Sequence, residues 1–183
     1  MVPVVVRILV CVLITVPPIS HSGQEPVTNA RTMLVTKPSD RETVLSRSFS
    51  APRQAVFDAL TQKIHLARWM RPTNFSLVSV DIDLRVGGSF RYVYQRPSGK
   101  KIEVRGAYKA VDPPNRVEYV ETYDFSPLQL NVTTTLNQAG SDTVFTQKIV
   151  YASKEERNGD FDSVSTSASE VYERLARYLE SPR

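Results

Sequence analysis

The sequence predicts an α+β domain in which a curved antiparallel sheet of about six to seven strands wraps around one long C-terminal helix. Two observations carry this prediction. Between Arg41 and Tyr151, segments with alternating apolar residues follow one another with short turns between them, as in an antiparallel meander. After the polar stretch Ser153–Asp160, apolar residues recur instead at spacings of three and four, which is the period of an amphipathic helix.

Length and composition fit one globular domain. The chain has 183 residues, of which 41% are hydrophobic and 23% charged, and its net charge is +4. The charges are interspersed, so no nucleic-acid-binding surface is indicated. Cys11 is the single cysteine, which excludes a disulfide within the chain and a cysteine-based zinc site. His21 and His65 lie in different regions, so the sequence shows no cluster of metal ligands.

Two interpretations of the N-terminus stay open. The apolar run Ile8–Val16 has the length of a signal-peptide core and is too short to span a bilayer, and small residues near Ser22 suit cleavage, so residues 1–22 are a candidate signal peptide. Arg7 is the only basic residue before this run, however, whereas signal peptides usually begin with several positive charges. Translation could instead begin at Met33. The first interpretation predicts export and the second a cytoplasmic protein.

Residues 23–40 are polar, contain two prolines and lack periodicity, so they are predicted to be a linker before a domain over residues 41–183. The first predicted strand is Arg41–Phe49. A short helix follows, with Ser50 as its cap and Pro52 in its first turn. A second short helix contains Trp69 and is closed by Pro72.

The remaining strands are indicated by alternation between turn residues. Gly87 and Gly88 form one turn and Gly99 supplies another. The terminal helix is predicted from about Ser163, with an i,i+4 ion pair between Glu170 and Arg174. The predicted strands are Phe75–Leu84, Phe90–Gln95, Ile102–Tyr108, Arg116–Phe125, Leu130–Leu136 and Thr143–Tyr151.

A single helix that covers a bent sheet is expected to leave a mainly apolar cavity beside it, in the range of roughly 300–1,000 Å³ that holds drug-sized ligands. Tyrosines suit such a lining because each has a flat apolar ring and one hydroxyl group. The alternative, in which these aromatic residues are ordinary core, stays open. The predicted ligand-binding residues are Trp69, near the mouth, and Phe90, Tyr92, Tyr94, Tyr108, Tyr119 and Tyr151.

Several segments resemble one protein family, the one named for activators of heat-shock-protein-90 ATPase, within the START/Bet v 1-like helix-grip superfamily (SRPBCC). The similarity extends over roughly Arg41 to Leu179 and is specific for the fold rather than for a function. The segments that carry it are Phe49–Thr61, Leu66–Trp69, Asp83–Tyr92, Gly106-Ala107-Tyr108, Pro113-Pro114, Thr133–Leu136 and Glu170–Leu175.

The resemblance implies one α+β domain with a deep pocket, no obligatory cofactor and no shared catalytic motif. Two departures from the family pattern affect the interpretation. Met70-Arg71-Pro72 stands where relatives often carry a second aromatic residue and a glycine, which bears on the pocket mouth. The first 32 residues have no counterpart in the usual family member, and they decide whether the protein is expected to be exported or cytoplasmic.

Three functions are compared. The first is binding of a small hydrophobic or amphipathic ligand, and the alternative is a co-chaperone or ATPase-regulating module with a protein partner. An enzyme has no recognisable catalytic motif. Its candidate acid–base groups are expected to include two arginines on the convex face and a histidine exposed on the second helix. These candidates are Glu121, Asp124, Arg91, Arg105 and His65.

Overall fold

The computed structural model describes residues 31–71 and 73–181, and in this part of the chain one eight-stranded antiparallel sheet packs against three helices. The helices are α1 (Arg53–Thr61), α2 (Lys63–Trp69) and α3 (Lys154–Glu180). The strands are β1 (Leu34–Ser39), β2 (Glu42–Phe49), β3 (Ser76–Ile82), β4 (Ser89–Gln95), β5 (Lys101–Asp112), β6 (Arg116–Tyr123), β7 (Gln129–Ala139) and β8 (Asp142–Val150).

The strand order β1-β2-β8-β7-β6-β5-β4-β3 confirms the helix-grip architecture, with one strand more than predicted. From β3 to β8, successive strands are neighbours, as in a meander, and β2 closes against β8. None of the helices within the described ranges is long and apolar enough to span a membrane. The candidate signal peptide and Pro72 lie outside the described residues.

The additional strand is β1, which lies in the segment predicted to be a linker. It pairs with β2 from Leu34↔Ser46 onwards, so the sheet begins at Leu34 rather than at Arg41. Its residues are mostly exposed because it is an edge strand, hydrogen-bonded on one side only. Without a buried face there is no apolar alternation, and this removes the signal by which a strand is recognised.

The starts of two helices differ from their predictions. Ser50 does not cap α1, whose first backbone amide, that of Arg53, is satisfied by the side-chain oxygen of Gln138 at 2.8 Å. Helix α3 begins at Lys154 rather than near Ser163, and the Ser153 hydroxyl accepts a hydrogen bond from the Glu156 amide at 3.2 Å. The early turns of α3 resemble a loop in sequence because their buried residue is charged Arg157.

The sheet places aromatic residues on its concave face and charged residues on its convex face. Phe90 lies opposite Gly106, whereas Arg91 lies opposite Arg105 and contacts Glu103. The side chains of Arg91 and Arg105 are 43% and 63% exposed, which confirms their predicted orientation. The inner face of β4 can therefore contribute rings to the interior.

Helix α3 lies across the concave face, with its closest backbone approaches to β2, α1 and α2. Leu175 is fully buried there, and Arg47 on β2 forms an ion pair with Glu173 at 2.9 Å. The predicted pair of Glu170 and Arg174 is present at 2.7 Å. These contacts fix the helix near one side of the sheet.

Gly106 is required by the close approach of the Phe90 ring. A Cβ atom at Gly106 would overlap that ring and lie 2.7 Å from the Val120 carbonyl oxygen. We expect Gly106→Ala to lower the free energy of unfolding by about 1–3 kcal/mol, measured by urea denaturation, because overpacking displaces the ring.

Gly159→Ala is the matched control, because a Cβ atom there meets nothing within 4 Å and the residue lies within α3. This variant should raise the free energy of unfolding by about 0.5–1 kcal/mol. Equal effects of the two substitutions would contradict the close packing of Phe90 on β5.

Candidate functional site

A cavity of about 270 Å³ lies between the concave face of the sheet and the three helices. This volume is just below the range of roughly 300–1,000 Å³ typical of drug-sized ligands. Most of its wall is apolar or aromatic. The wall includes Leu45, Phe57, Leu66, Val117, Leu130, Val132, Leu136, Ile149, Val164, Ala168 and Val171.

Five of the seven predicted ligand-binding residues line this cavity. Phe90 is the centre of the aromatic group, with its ring centroid 5.0 Å from that of Tyr92, 5.5 Å from that of Tyr108 and 5.2 Å from that of Tyr119. The fifth residue is Trp69. The cavity thus has one continuous aromatic wall formed by β4, β5 and β6.

Trp69 is held in place from two sides. Its indole N–H donates to the Ala59 carbonyl oxygen at 2.8 Å, and its ring centroid lies 6.5 Å from that of Tyr172 on α3. The residue is 4% exposed. Trp69 therefore belongs to the packed junction of α1, α2 and α3 as well as to the cavity wall.

The other two predicted residues lie elsewhere. Tyr94 lines a second cavity, of about 420 Å³, together with Phe75 and Asp160. Tyr151 is buried outside both cavities, and its hydroxyl donates to a carboxylate oxygen of Asp160 at 2.9 Å. The structure therefore does not bring Tyr94 and Tyr151 together with the other five residues.

A hydrogen-bonded chain of polar side chains connects α3 to the sheet inside the cavity. The Tyr172 hydroxyl donates to Oε1, the side-chain amide oxygen of Gln147, at 3.2 Å. The Gln147 amide in turn donates to the Tyr119 hydroxyl and to the Thr134 hydroxyl, each at 3.2 Å. Sequence reasoning missed Gln147, although its parity with buried Phe145 and Ile149 on β8 places it inside.

Glu121 is the acidic residue of the cavity wall. It shares the inner face of β6 with Tyr119 and Tyr123, and its carboxylate accepts a hydrogen bond from the Tyr123 hydroxyl. Burial raises the pKa of Glu121 to about 6, with a smaller contribution from the negative charge of Asp160, whereas the Tyr123 hydrogen bond lowers it. A carboxylate with this pKa is ionised near neutral pH although its surroundings disfavour the charge.

The other candidate acid–base groups do not converge on Glu121. Asp124 accepts a hydrogen bond from the Glu103 amide at 2.9 Å on an exposed part of the sheet. His65 was predicted to be exposed, which is wrong: it is half-buried, with Nδ1 2.6 Å from the Tyr178 hydroxyl. The packing of α2 against α3 covers the side chain of His65. Sequence periodicity does not reveal such a tertiary contact.

The tyrosines of the cavity are neutral hydrogen-bonding groups at ordinary pH. Burial raises the pKa of Tyr108 to about 12 and also raises the pKa values of Tyr92 and Tyr119 well above the usual range of a tyrosine. Within residues 31–71 and 73–181, no cluster of three or more His, Cys, Asp or Glu side chains could hold a metal ion. Among the described residues, the wall therefore offers rings, hydroxyl groups, the amide of Gln147, the carboxylate of Glu121 and the guanidinium group of Arg116.

We expect Glu121→Gln to stabilise the protein near neutral pH. The folded-state pKa of Glu121 is raised from 4.5 to about 6, so its stabilising contribution is full below pH 4.5 and is lost as the pH rises through about 6. The free energy of unfolding of the variant should exceed that of the unaltered protein by about 1–2 kcal/mol near pH 7.5, and the two should be nearly equal near pH 4.5.

Urea denaturation at the two pH values measures this difference. Glu42→Gln, on β2 and outside both cavities, is the control for loss of a half-buried charge, and it should give no gain near neutral pH. Destabilisation by Glu121→Gln near neutral pH would contradict the burial of this carboxylate.

Comparisons with known proteins agree with this architecture. A protein from Rhodobacter sphaeroides has a TM-score of 0.78 and 24% sequence identity, and the match covers 81% of this chain and 97% of that one. A protein from Mycobacterium smegmatis has a TM-score of 0.70 and 23% identity, covering 82% and 99%. A protein from Staphylococcus epidermidis has a TM-score of 0.70 and 25% identity, covering 80% and 93%.

No curated protein matches the chain. Residues 50–180 match the family described as activator of Hsp90 ATPase homolog 1-like protein. This match extends over more than half of the chain and agrees with the segments that carry the resemblance in the sequence. The chain therefore belongs to the activator of Hsp90 ATPase homolog 1-like family.

Proposed function

We propose that the protein binds a small hydrophobic or amphipathic ligand in the cavity between the sheet and α3. The observation that carries this proposal is the cavity of about 270 Å³, with its continuous aromatic wall and few polar groups. Ligand sites are typically concave, mainly apolar and supplied with a small number of placed polar groups. The cavity has each of these properties.

The polar groups of the wall would orient a ligand while the rings bury it. Phe90, Tyr92 and Tyr119 offer flat surfaces, and removal of apolar ligand surface from water contributes roughly 25 cal/mol per Å². Gln147 is hydrogen-bonded to the hydroxyl groups of Tyr119 and Tyr172, so these polar atoms lie beside the rings, between the sheet and α3. A ligand with an apolar body and one or two polar atoms fits this arrangement.

Ala168 offers a way to fill the cavity from the helix side. It lies on α3, is 8% exposed and lines the cavity. We expect the neutral fluorescent probe N-phenyl-1-naphthylamine to bind the unaltered protein and raise its melting temperature, since a ligand at 100 times its dissociation constant adds about 2.7 kcal/mol of stability. Ala168→Phe should weaken binding at least about tenfold, because the added ring occupies the same space.

Ala107→Phe is the matched control, because it adds the same ring to the exposed face of β5. Its probe affinity should remain that of the unaltered protein. Circular dichroism of each variant would show that the fold is retained. Failure of the probe and of a broad ligand library to bind or stabilise the unaltered protein would contradict the proposal, as would unchanged binding by folded Ala168→Phe.

The second candidate function is regulation of a chaperone ATPase through a protein contact, and the family description is the observation that favours it. The two functions differ in their dependence on the cavity. Regulation predicts that the protein changes the ATPase rate of the Hsp90-type chaperone, whereas ligand binding alone requires no such change. Stimulation of that rate, retained in Ala168→Phe, would instead support the co-chaperone function.

A further inference from the structure

We propose that the ligand carries a cationic amine, which the cavity holds beside Glu121 and the surrounding aromatic rings. This inference rests on the proposed function and names the chemical class of its ligand. It follows from the charges of the cavity wall, from the lack of a basic partner for Glu121 among the described residues, and from the rings around it.

Two charged side chains of the described residues line the cavity, those of Glu121 and Arg116. Arg116 is already neutralised, because its guanidinium group forms an ion pair with Glu118, and its side chain is 48% exposed. Glu121 has the inward parity of Tyr119, whereas Arg116 has the opposite parity. The carboxylate that faces the interior is therefore the one left for a ligand.

The charged and titratable groups that act on Glu121 are acidic or neutral, and the residues opposite it on the neighbouring strands, Gly106 on β5 and Leu130 on β7, carry no charge. These titratable groups are Tyr119 and Tyr123 on β6, Tyr92 and Tyr94 on β4, and Tyr172 and Asp160 on α3. Glu121 forms no ion pair with a lysine or arginine in residues 31–71 and 73–181. A buried carboxylate without a cation is unfavourable, and a ligand cation would remove that penalty.

Asp160 adds a second negative charge at the same end of the cavity. Glu121 lines the first cavity, Asp160 lines the second, and Tyr123 lines both. The two carboxyl groups therefore lie around the junction between the two spaces. An anionic ligand group would be repelled there, and a cationic group would be attracted.

The aromatic wall supplies the second half of an amine site. Phe90, Tyr92, Tyr119 and Tyr172 line the same cavity as Glu121. Ring faces attract ammonium groups, with energies that increase when the pair is removed from water. A carboxylate that neutralises the charge, together with rings that surround it, is the chemistry that distinguishes an amine from an alcohol of the same shape.

Three probes with one apolar body test this inference: 4-phenylbutylamine, 4-phenylbutan-1-ol and 4-phenylbutanoate. Calorimetric titration near pH 7.5 should show the amine binding at least about tenfold more tightly than the alcohol, with the carboxylate weakest. Glu121→Gln should bring the amine within about threefold of the alcohol while leaving alcohol binding within about twofold. Glu42→Gln, outside both cavities, should retain the full preference for the amine.

A titration of the unaltered protein against pH gives an independent readout. Glu121 is protonated below about pH 6, whereas the amine probe stays charged, so the preference for the amine over the alcohol should fall as the pH is lowered towards about 5. In Glu121→Gln this preference should not change with pH over that interval. The titration of the unaltered protein does not depend on the stability of any variant.

The outcomes separate the two proposals. Alcohol binding without a preference for the amine, or a preference that survives Glu121→Gln, would overturn the amine inference and leave the ligand-binding function standing. Absence of binding by all three probes and by N-phenyl-1-naphthylamine would overturn both. A preference that depends on Glu121 and on pH supports both.

Discussion

The width of the sheet relative to that of its covering helix is the constraint on which the rest of the structure depends. Eight strands spaced about 4.8 Å apart form an arc of roughly 30 Å, whereas a helix with its side chains is only about 10–12 Å across. Helix α3 lies closest to β2, and α1 and α2 pack beside it. The remaining concave face over β4, β5 and β6 must be filled by its own side chains or stay open, and large rings fill it incompletely.

The hydrogen bonds between Tyr172, Gln147 and Tyr119 maintain this arrangement. These groups are half-buried and each has its partner on another element, so separation of α3 from the sheet would break the hydrogen bond between the Tyr172 hydroxyl and the side-chain oxygen of Gln147. Glu121 has the opposite energetic character, because its charge is disfavoured by burial. Such a locally unfavourable group inside a well-packed domain is what a binding site is expected to contain.

Most of the fold could be predicted because its signals are local. Alternation on β4 to β8 and the period of α3 followed directly from which faces are buried. The misses have the same cause: β1 has no buried face, and the first turns of α3 bury Arg157 instead of an apolar residue. At the start of α1, the backbone amide of Arg53 donates a hydrogen bond to Gln138. Because Gln138 is distant in sequence, this partner could not be inferred from the residues around Ser50.

For the site, the sequence predicted which side of the sheet a residue faces but not where on that side it lies. Parity on a strand says which side of the sheet a residue faces, and it placed Phe90, Tyr92, Tyr108 and Tyr119 in one wall. It does not say which end of the curved sheet the residue occupies, so Tyr94 was grouped with residues that line a different cavity. The same parity would have placed Glu121 and Gln147 on the inner face, but polar residues are usually taken to face solvent.

Intermolecular nuclear Overhauser effects between bound N-phenyl-1-naphthylamine and the protein test the central claim most directly. If the space beside α3 is the binding site, the probe protons should show cross-peaks to the ring protons of Phe90, Tyr92 and Tyr119 and to the methyl groups of Val171. Cross-peaks confined to exposed apolar residues such as Phe125 and Val86 would contradict it.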